Sequence, residues 1–324
     1  MSPMSPTSLE VDLAPGAKRS LILPNPIMVA SGTFGYGLEY AKIFDIQRLG
    51  GIVTKTTTLH PRRGNPPTRI AETPGGMLNS IGLQNVGVTA LVRDLAPVYA
   101  TWRVPAVASI MGFTVQEYAE VAARLEGVDG LSGVELNLSC PNTERGGIEF
   151  GQEPDAAASV VRGVLRATTL PIIAKLTPSV ADPRVVAEAV VDAGANALCA
   201  GNTLVGMAMD LERRKPVIAT IFAGLSGPAI KPVALRQVYQ IAGAVDVPIV
   251  ACGGISDARD ALEFIMAGAS AVQIGTATFA NPYAPLQAVE GIEAYCAENC
   301  VTNIRELVGA GRAAHAPMAA KVGT

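Results

Sequence analysis

The stretch PIVACGGISDARDALEFIMAGASAVQIGTA, residues 248–277, holds one complete unit of the pattern that decides the fold. Pro248–Ala251 is a short apolar run that leads into Cys252-Gly253-Gly254, and Ala271–Ile274 is a second that leads into Gly275-Thr276-Ala277. Between them Ser256–Gly268 predicts a helix. Ala258, Ala261, Leu262, Ile265 and Met266 share one face, Ser256 is positioned to cap, Asp257 sits in the first turn and Gly268 can end it. Both runs are continuously apolar rather than alternating, as strands covered on two faces are. The unit therefore reads as strand, turn, helix, strand in a parallel sheet.

Similar runs recur on the N-terminal side: Ile27–Ala30, Gly51–Thr57, Ala106–Ile110, Gly133–Leu138, Ile172–Leu176 and Ala197–Ala200. Helical periodicity recurs over Val115–Leu125, Asp155–Ala167, Pro183–Ala193, Pro232–Ala244 and Pro282–Glu298. Eight strands in βα alternation predict the α/β class and a single (β/α)8 TIM barrel, one domain over residues 1–324, with an open doubly wound sheet as the alternative. Residues 1–8 and about 310–324 are expected to be loose tails. Thr58–Gln84 is rich in Pro, Gly and Arg, which excludes a simple crossover helix and predicts a long insertion over the substrate. Asn202–Ile221 and Gly224–Pro228 form a second excursion.

Composition narrows the function. Lys and Arg total 25 against 28 Asp and Glu, so there is no basic surplus for a nucleic acid partner. Five scattered cysteines are an odd number and argue against a disulfide framework. The N-terminus lacks a signal-peptide pattern, and no apolar stretch approaches the ~20 residues that span a bilayer. The expectation is a cytoplasmic protein with no membrane insertion. Cys296 and Cys300 read as ordinary helix cysteines, and no metal site is expected.

In a barrel the chemistry sits where strands end, and the residues there are polar: Ser31, Lys55, Thr56, Ser109, Asn137, Ser139, Cys140, Lys175, Asn202 and Thr203. The glycine turns Gly253-Gly254 and Gly275-Thr276 close the seventh and eighth strands, where this fold binds phosphate through backbone N–H groups. A lysine at the end of an apolar strand carries a desolvation cost unless an anion meets it, and here there are two, Lys55 and Lys175. Glu135-Leu136-Asn137-Leu138-Ser139-Cys140-Pro141-Asn142 takes a strand into a turn, with Pro141 disfavouring helical geometry at Cys140. That turn makes Cys140 a thiol at the active face. Cys199 and Cys252 lie inside apolar runs and read as packing residues. With only His60 and His315, histidine catalysis has little support.

These residues carry a resemblance. The motifs Ala30-Ser31-Gly32-Thr33-Phe34-Gly35, Thr54-Lys55-Thr56, Asn79-Ser80-Ile81-Gly82-Leu83-Gln84-Asn85, Asn137-Leu138-Ser139-Cys140-Pro141-Asn142, Gly201-Asn202-Thr203 and Leu225-Ser226-Gly227-Pro228-Ala229-Ile230-Lys231-Pro232, with the two glycine turns, resemble the family 1 dihydroorotate dehydrogenases. The match covers roughly residues 20–295, and the wording of the first and third motifs is similar to the NAD-linked branch. The resemblance implies oxidation of dihydroorotate to orotate in pyrimidine biosynthesis. It implies that FMN is held by Ser31, Lys55, Thr56, Ser109, Asn137, Lys175, Gly201, Gly227, Gly253, Gly254, Gly275 and Thr276. It further implies that dihydroorotate is held by Lys55, Asn79, Ser80, Ile81, Gly82, Leu83, Asn137, Asn202 and Thr203, with Cys140 as catalytic base. Two positions depart from the family: Ser109 stands where an Asn touches the flavin, and Ser80 where Ala is commoner.

Chemistry agrees with these roles. A base must take the C5 proton while hydride leaves C6 for flavin N5, so base and flavin belong on opposite faces of the substrate; a thiol with an ordinary pKa near ~8.5 can serve. Lys175 suits the negative charge of a reduced flavin, the Asn side chains suit a ring of carbonyls and N–H groups, and the Thr58–Gln84 loop suits exclusion of water. Arg62, Arg63 and Arg69 read either as steering groups or as a solvated rim. The NAD-linked branch implies a partner subunit carrying FAD and a [2Fe-2S] cluster, in a heterotetramer built on a homodimer. This chain has no cysteine cluster for iron–sulfur and no convincing dinucleotide fingerprint. Alternatives are a fumarate-linked homodimer and a flavin-free phosphate-binding lyase or isomerase.

Overall fold

The computed structural model describes residues 7–139 and 149–312. Eight parallel strands close a barrel: β1 (Ile27–Val29), β2 (Gly51–Val53), β3 (Ala106–Ile110), β4 (Gly133–Asn137), β5 (Ile172–Lys175), β6 (Ala197–Ala200), β7 (Ile249–Cys252) and β8 (Ala271–Ile274). They follow one another around the barrel in sequence order, and β8 pairs with β1 through Val272↔Ile27 and Ile274↔Val29. The α/β reading and the TIM barrel hold; the open sheet does not. Nearly every strand residue is buried, because helices cover the outer face and side chains fill the inner one.

The covering helices include Val115–Leu125, Pro154–Leu165, Pro183–Asp192, Lys231–Ile241, Ala258–Ala267 and Ala284–Glu298. Between β1 and β2 the chain makes only the 3-10 turns Tyr40–Lys42 and Ile46–Arg48. In the opening unit Asp257, not Ser256, caps the helix: its carboxylate accepts from the Asp260 N–H, while the Ser256 N–H donates to Asp260 Oδ2 at 2.9 Å. A carboxylate at that position also meets the positive end of the helix. The second strand ends at Val53 rather than Thr57. The Lys55 N–H turns aside to Gly35 O at 2.7 Å, and the chain rejoins β3 as a single Thr57↔Ile110 bridge.

The two excursions meet in a way that sequence reading missed. Ile70–Thr73 and Gly76–Asn79 from the first pair with Ala223–Ser226 and Leu204–Gly206 from the second, giving a four-stranded antiparallel sheet over one end of the barrel. Leu78, Ile218 and Ala223 form its small core. Both chain ends are also tied further than expected. Thr7 Oγ1 donates to Val301 O at 2.9 Å, the Ser8 N–H to Thr302 O at 2.9 Å, and Ala310–Arg312 forms a turn whose Arg312 lies over the Tyr239 ring. Among the described residues no helix is long and apolar enough to cross a membrane.

At the opposite end of the barrel Glu126 ties the loop before β4 to the loop before β5. Its carboxylate accepts from Thr168 Oγ1 at 2.6 Å and from the Thr169 N–H and Oγ1 at 2.7 and 2.8 Å, and it pairs with Arg19. The Thr168 hydrogen bond, then those of Thr169, bring its pKa down to about 2. A depressed carboxyl contributes stability above its unfolded pKa, near 4.5, and loses it as pH falls through the folded value. Glu126→Gln is therefore expected to lower Tm at pH 7, and thermal melts should show the gap to the parent narrowing below pH 4.5.

Candidate active site

One cavity of about 290 Å3 opens at the carboxyl ends of the strands, beneath the four-stranded sheet. That is the size of a small-molecule site. Its wall brings together Ser31, Lys55, Thr56, Asn79, Ile81, Gly82, Leu83, Asn137, Lys175, Asn202, Thr203, Gly227, Gly253, Gly254, Gly275 and Thr276. These residues come from all parts of the chain, and most of the sequence-predicted site is assembled in one place. Ser80, Ser109 and Gly201 stand outside the lining. Ser80 bonds Asn65 and Thr220 behind the sheet, and fully buried Ser109 shares a 2.9 Å hydrogen bond with Thr56 Oγ1. Gly201 has another reason to be glycine: at φ 116 its backbone packs so closely on β7 that an added Cβ would lie 1.8 Å from Cys252 O. Cys140 lies outside the described residues.

The glycine turns make one wall. Gly253 and Gly254 have φ 134 and 74, and a Cβ at Gly254 would meet the Lys231 backbone N at 2.7 Å. Among the described residues the N–H groups of Gly254 and Gly275 have no backbone acceptor, while the pairing of Cys252 with Gln273 takes up that of Gly253. Free donors on glycine backbone suit the oxygens of a phosphate. Thr276 Oγ1 donates to Ser226 Oγ at 2.8 Å, which joins this wall to the edge of the sheet.

The sheet and its turn make the opposite wall. Asn79 Nδ2 donates to Gly224 O at 3.3 Å, and Gly82 and Leu83 both adopt left-handed backbone, with φ 72 and 59. For leucine that conformation costs about 1–3 kcal/mol and persists only where its surroundings impose it. Asn202 donates to Ser139 Oγ at 3.0 Å and accepts from the Thr203 N–H at 2.8 Å. Lys55 has no acidic partner among the described residues; burial, then the charge of Arg69, pulls its pKa down. A buried cation that faces the cavity without an acid favours an anionic ligand. Arg69 is oriented by Gln84 Oε1 at 2.7 Å, whereas Arg62 lies over the Phe113 ring.

Lys175 forms the floor with Cys252. Its Nζ donates to Gln273 Oε1 at 3.1 Å and stands 3.8 Å from Cys252 Sγ. Reading Cys252 as a packing residue is thus corrected: as the last residue of β7 it faces inward and lines the cavity. A hydrogen bond with Cys199, opposed by burial and aided by Lys175, holds its thiol below the ordinary cysteine value. Ser226, Met77, Ile70 and Phe279 also line the cavity and were missed, the hydrophobic ones because a rim residue has no local sequence signal.

A sequence model described as dihydroorotate dehydrogenase matches residues 19–295. The chain belongs to the dihydroorotate dehydrogenase family. Among curated relatives, the "Dihydroorotate dehydrogenase B (NAD(+)), catalytic subunit" of Pelobacter propionicus is 54% identical over 290 residues, 90% of this chain and 95% of the relative. The protein of the same description from Trichlorobacter lovleyi is 53% identical over 291 residues, covering 90% and 96%. Among solved structures, Eimeria tenella DHODH in complex with ferulenol superposes with a TM-score of 0.79 at 20% identity, covering 97% of this chain and 90% of that one. At that identity it speaks for the fold alone.

Proposed function

We propose that this single-domain barrel oxidises (S)-dihydroorotate to orotate in pyrimidine biosynthesis, with FMN as resident cofactor, as the NAD-linked catalytic subunit of the family. The observation that carries the reading is the convergence of the two implied ligand sets, flavin and substrate, on one cavity with two cations at its wall and floor. The residues fit FMN: glycine N–H groups without backbone acceptors suit its phosphate, and the cationic floor suits an anionic reduced ring. When bound, FMN supplies the two-electron acceptor.

On this reading Gly253, Gly254, Gly275 and Thr276 hold the phosphate, while Thr56, Asn137 and Lys175 meet the ring. Lys55 takes the substrate carboxylate, and Asn79, Asn137, Asn202 and Thr203 read the amide edges of its ring. Cys140 removes the C5 proton, and the sheet above the cavity excludes water. Electrons leave through a partner subunit bearing FAD and a [2Fe-2S] cluster to NAD, in a cytoplasmic heterotetramer built on a homodimer. The relatives' descriptions, which name both NAD and a catalytic subunit, support this branch.

The test is direct. Purified protein is expected to be yellow, and dihydroorotate without oxygen should bleach its flavin band. Reoxidation by NAD only after the partner subunit is added supports the NAD-linked branch. Reoxidation by fumarate in the isolated chain would move the assignment to the homodimeric branch, and a protein that cannot be loaded with FMN would end the flavin reading.

A further inference from the structure

Beneath the floor of the cavity the barrel interior holds a polar chain that the proposed reaction does not use. The interior of such a barrel is ordinarily packed with apolar side chains. Here Gln273 Nε2 donates to Glu135 Oε2 at 2.5 Å, and Gln273 Oε1 accepts from Lys175 Nζ. Gln273 is on β8, Lys175 on β5 and Glu135 on β4, so these contacts join strands that are not all neighbours and run through the centre of the barrel. All three residues are buried, Glu135 completely. Glu135 Oε1 accepts no hydrogen bond among the described residues, and it stands 3.7 Å from Lys175 Nζ.

A buried carboxylate costs several kcal/mol unless a partner offsets it, so stability alone does not favour this arrangement over an apolar filling. Its consequence falls on Lys175, the one member that also lines the cavity. An amine this deep would shed its proton, since desolvation disfavours the charged form. We propose that Glu135, linked through the Gln273 amide, is a positioning residue that keeps the Lys175 amine protonated and pointed into the floor of the cavity.

The carboxylate is the counter-charge, and the amide is the strut. Gln273 spends its donor on Glu135 and its acceptor on Lys175, so neither the carboxylate nor the ammonium can swing away without breaking a buried hydrogen bond. The titratable groups that face the ammonium are Glu135 from β4, Cys199 from β6 and Cys252 from β7. Burial pulls the pKa of Lys175 down, but Cys252 and the Glu135 carboxylate more than offset it, and the net direction is upward, whereas burial pushes the Cys199 thiol up. A fixed cation is then present before any negative charge develops in the cavity, which is how a preorganised site stabilises an anion without reorganising.

The test measures the amine itself, through carbamylation by cyanate, which adds only to a neutral amine. The full chain, stripped of bound ligand, is labelled across pH 6–10 and Lys175 is followed by mass spectrometry, with the exposed lysines as internal controls. Glu135→Gln is expected to raise the Lys175 rate at pH 8 at least tenfold, with Gln273→Met changing it in the same direction and the control lysines unchanged. Gln273→Met keeps the question answerable if Glu135→Gln does not fold. Equal rates in parent and variants would overturn the proposal.

A second measurement rests on the flavin reading. In the FMN-loaded enzyme, Glu135→Gln and Lys175→Met should each shift the flavin's reduction equilibrium at least tenfold toward the oxidised form, about 30 mV for a two-electron couple. The double variant should go no further than Lys175→Met alone. A shift toward the reduced form in Glu135→Gln would mean that the carboxylate merely subtracts from the lysine's field, and would overturn the proposal. Because the labelling needs no flavin, a protein that fails to bind FMN would defeat the functional reading and leave this one standing.

Discussion

Cys140→Ser should leave a folded, flavin-loaded protein whose reduction by dihydroorotate at pH 7 is slowed by roughly 10²- to 10⁴-fold, the range general base catalysis contributes. The reasoning is one of acidity. A cysteine thiol has an ordinary pKa near ~8.5, so a useful fraction is available as base close to neutrality, whereas a serine hydroxyl stays protonated throughout the accessible range. Substrate binding draws on Lys55 and the Asn side chains, so the dihydroorotate concentration at half-maximal rate should change little while the limiting rate collapses. The pH profile gives an independent sign. Parent reduction should rise and level off as the base ionises, and the serine variant should keep rising with pH as hydroxide or a rare alkoxide takes over. Anaerobic stopped-flow mixing, following the flavin band, reads both. Reduction of the variant at the parental rate would remove Cys140 from the base role and turn attention to Cys252, the thiol that lines the cavity floor.

The barrel was legible because its evidence is local and repeated. Ala106–Ile110, Ala197–Ala200 and Ala271–Ile274 match the observed strands residue for residue, since a strand buried on both faces must be a short apolar run closed by a turn. Residues in the glycine turns and at strand ends were legible for the same reason: the fold sends strand ends to the active face, and chain position alone assigns them. The four-stranded sheet was not legible. Its strands come from segments more than a hundred residues apart, and the Gly224↔Asn79 and Leu225↔Leu78 pairings leave no periodicity in either segment. Glu135 and Gln273 escaped for a related reason. Each looks like a stray polar residue in an apolar run, and their partnership exists only across the barrel's interior. Cys252 was misread because an apolar run does not show which of its last residues turns toward the cavity.

Gly201 separates what a resemblance assigns from what packing demands, and Gly201→Ala is expected to have the second large effect. The resemblance implies contact with FMN at this position, yet Gly201 is absent from the cavity lining. Its geometry gives a steric reason instead. At φ 116 an alanine is strained wherever it has room, and here there is none, since the new Cβ would fall 1.8 Å from Cys252 O. Left-handed strain costs about 1–2 kcal/mol and overpacking against backbone about 1–3 kcal/mol, together roughly 2–5 kcal/mol. In a chain of 324 residues that lowers Tm by roughly 3–7 °C. Relief requires β6 and β7 to part at their carboxyl ends, and there Cys252 leads directly into Gly253 and Gly254. Flavin retention should therefore fall as a consequence of the displaced turn. Melting the variant without flavin distinguishes the two roles. A packing role lowers Tm already in flavin-free protein, whereas a pure ligand contact would leave the flavin-free melt unchanged and weaken only the stabilisation that FMN confers.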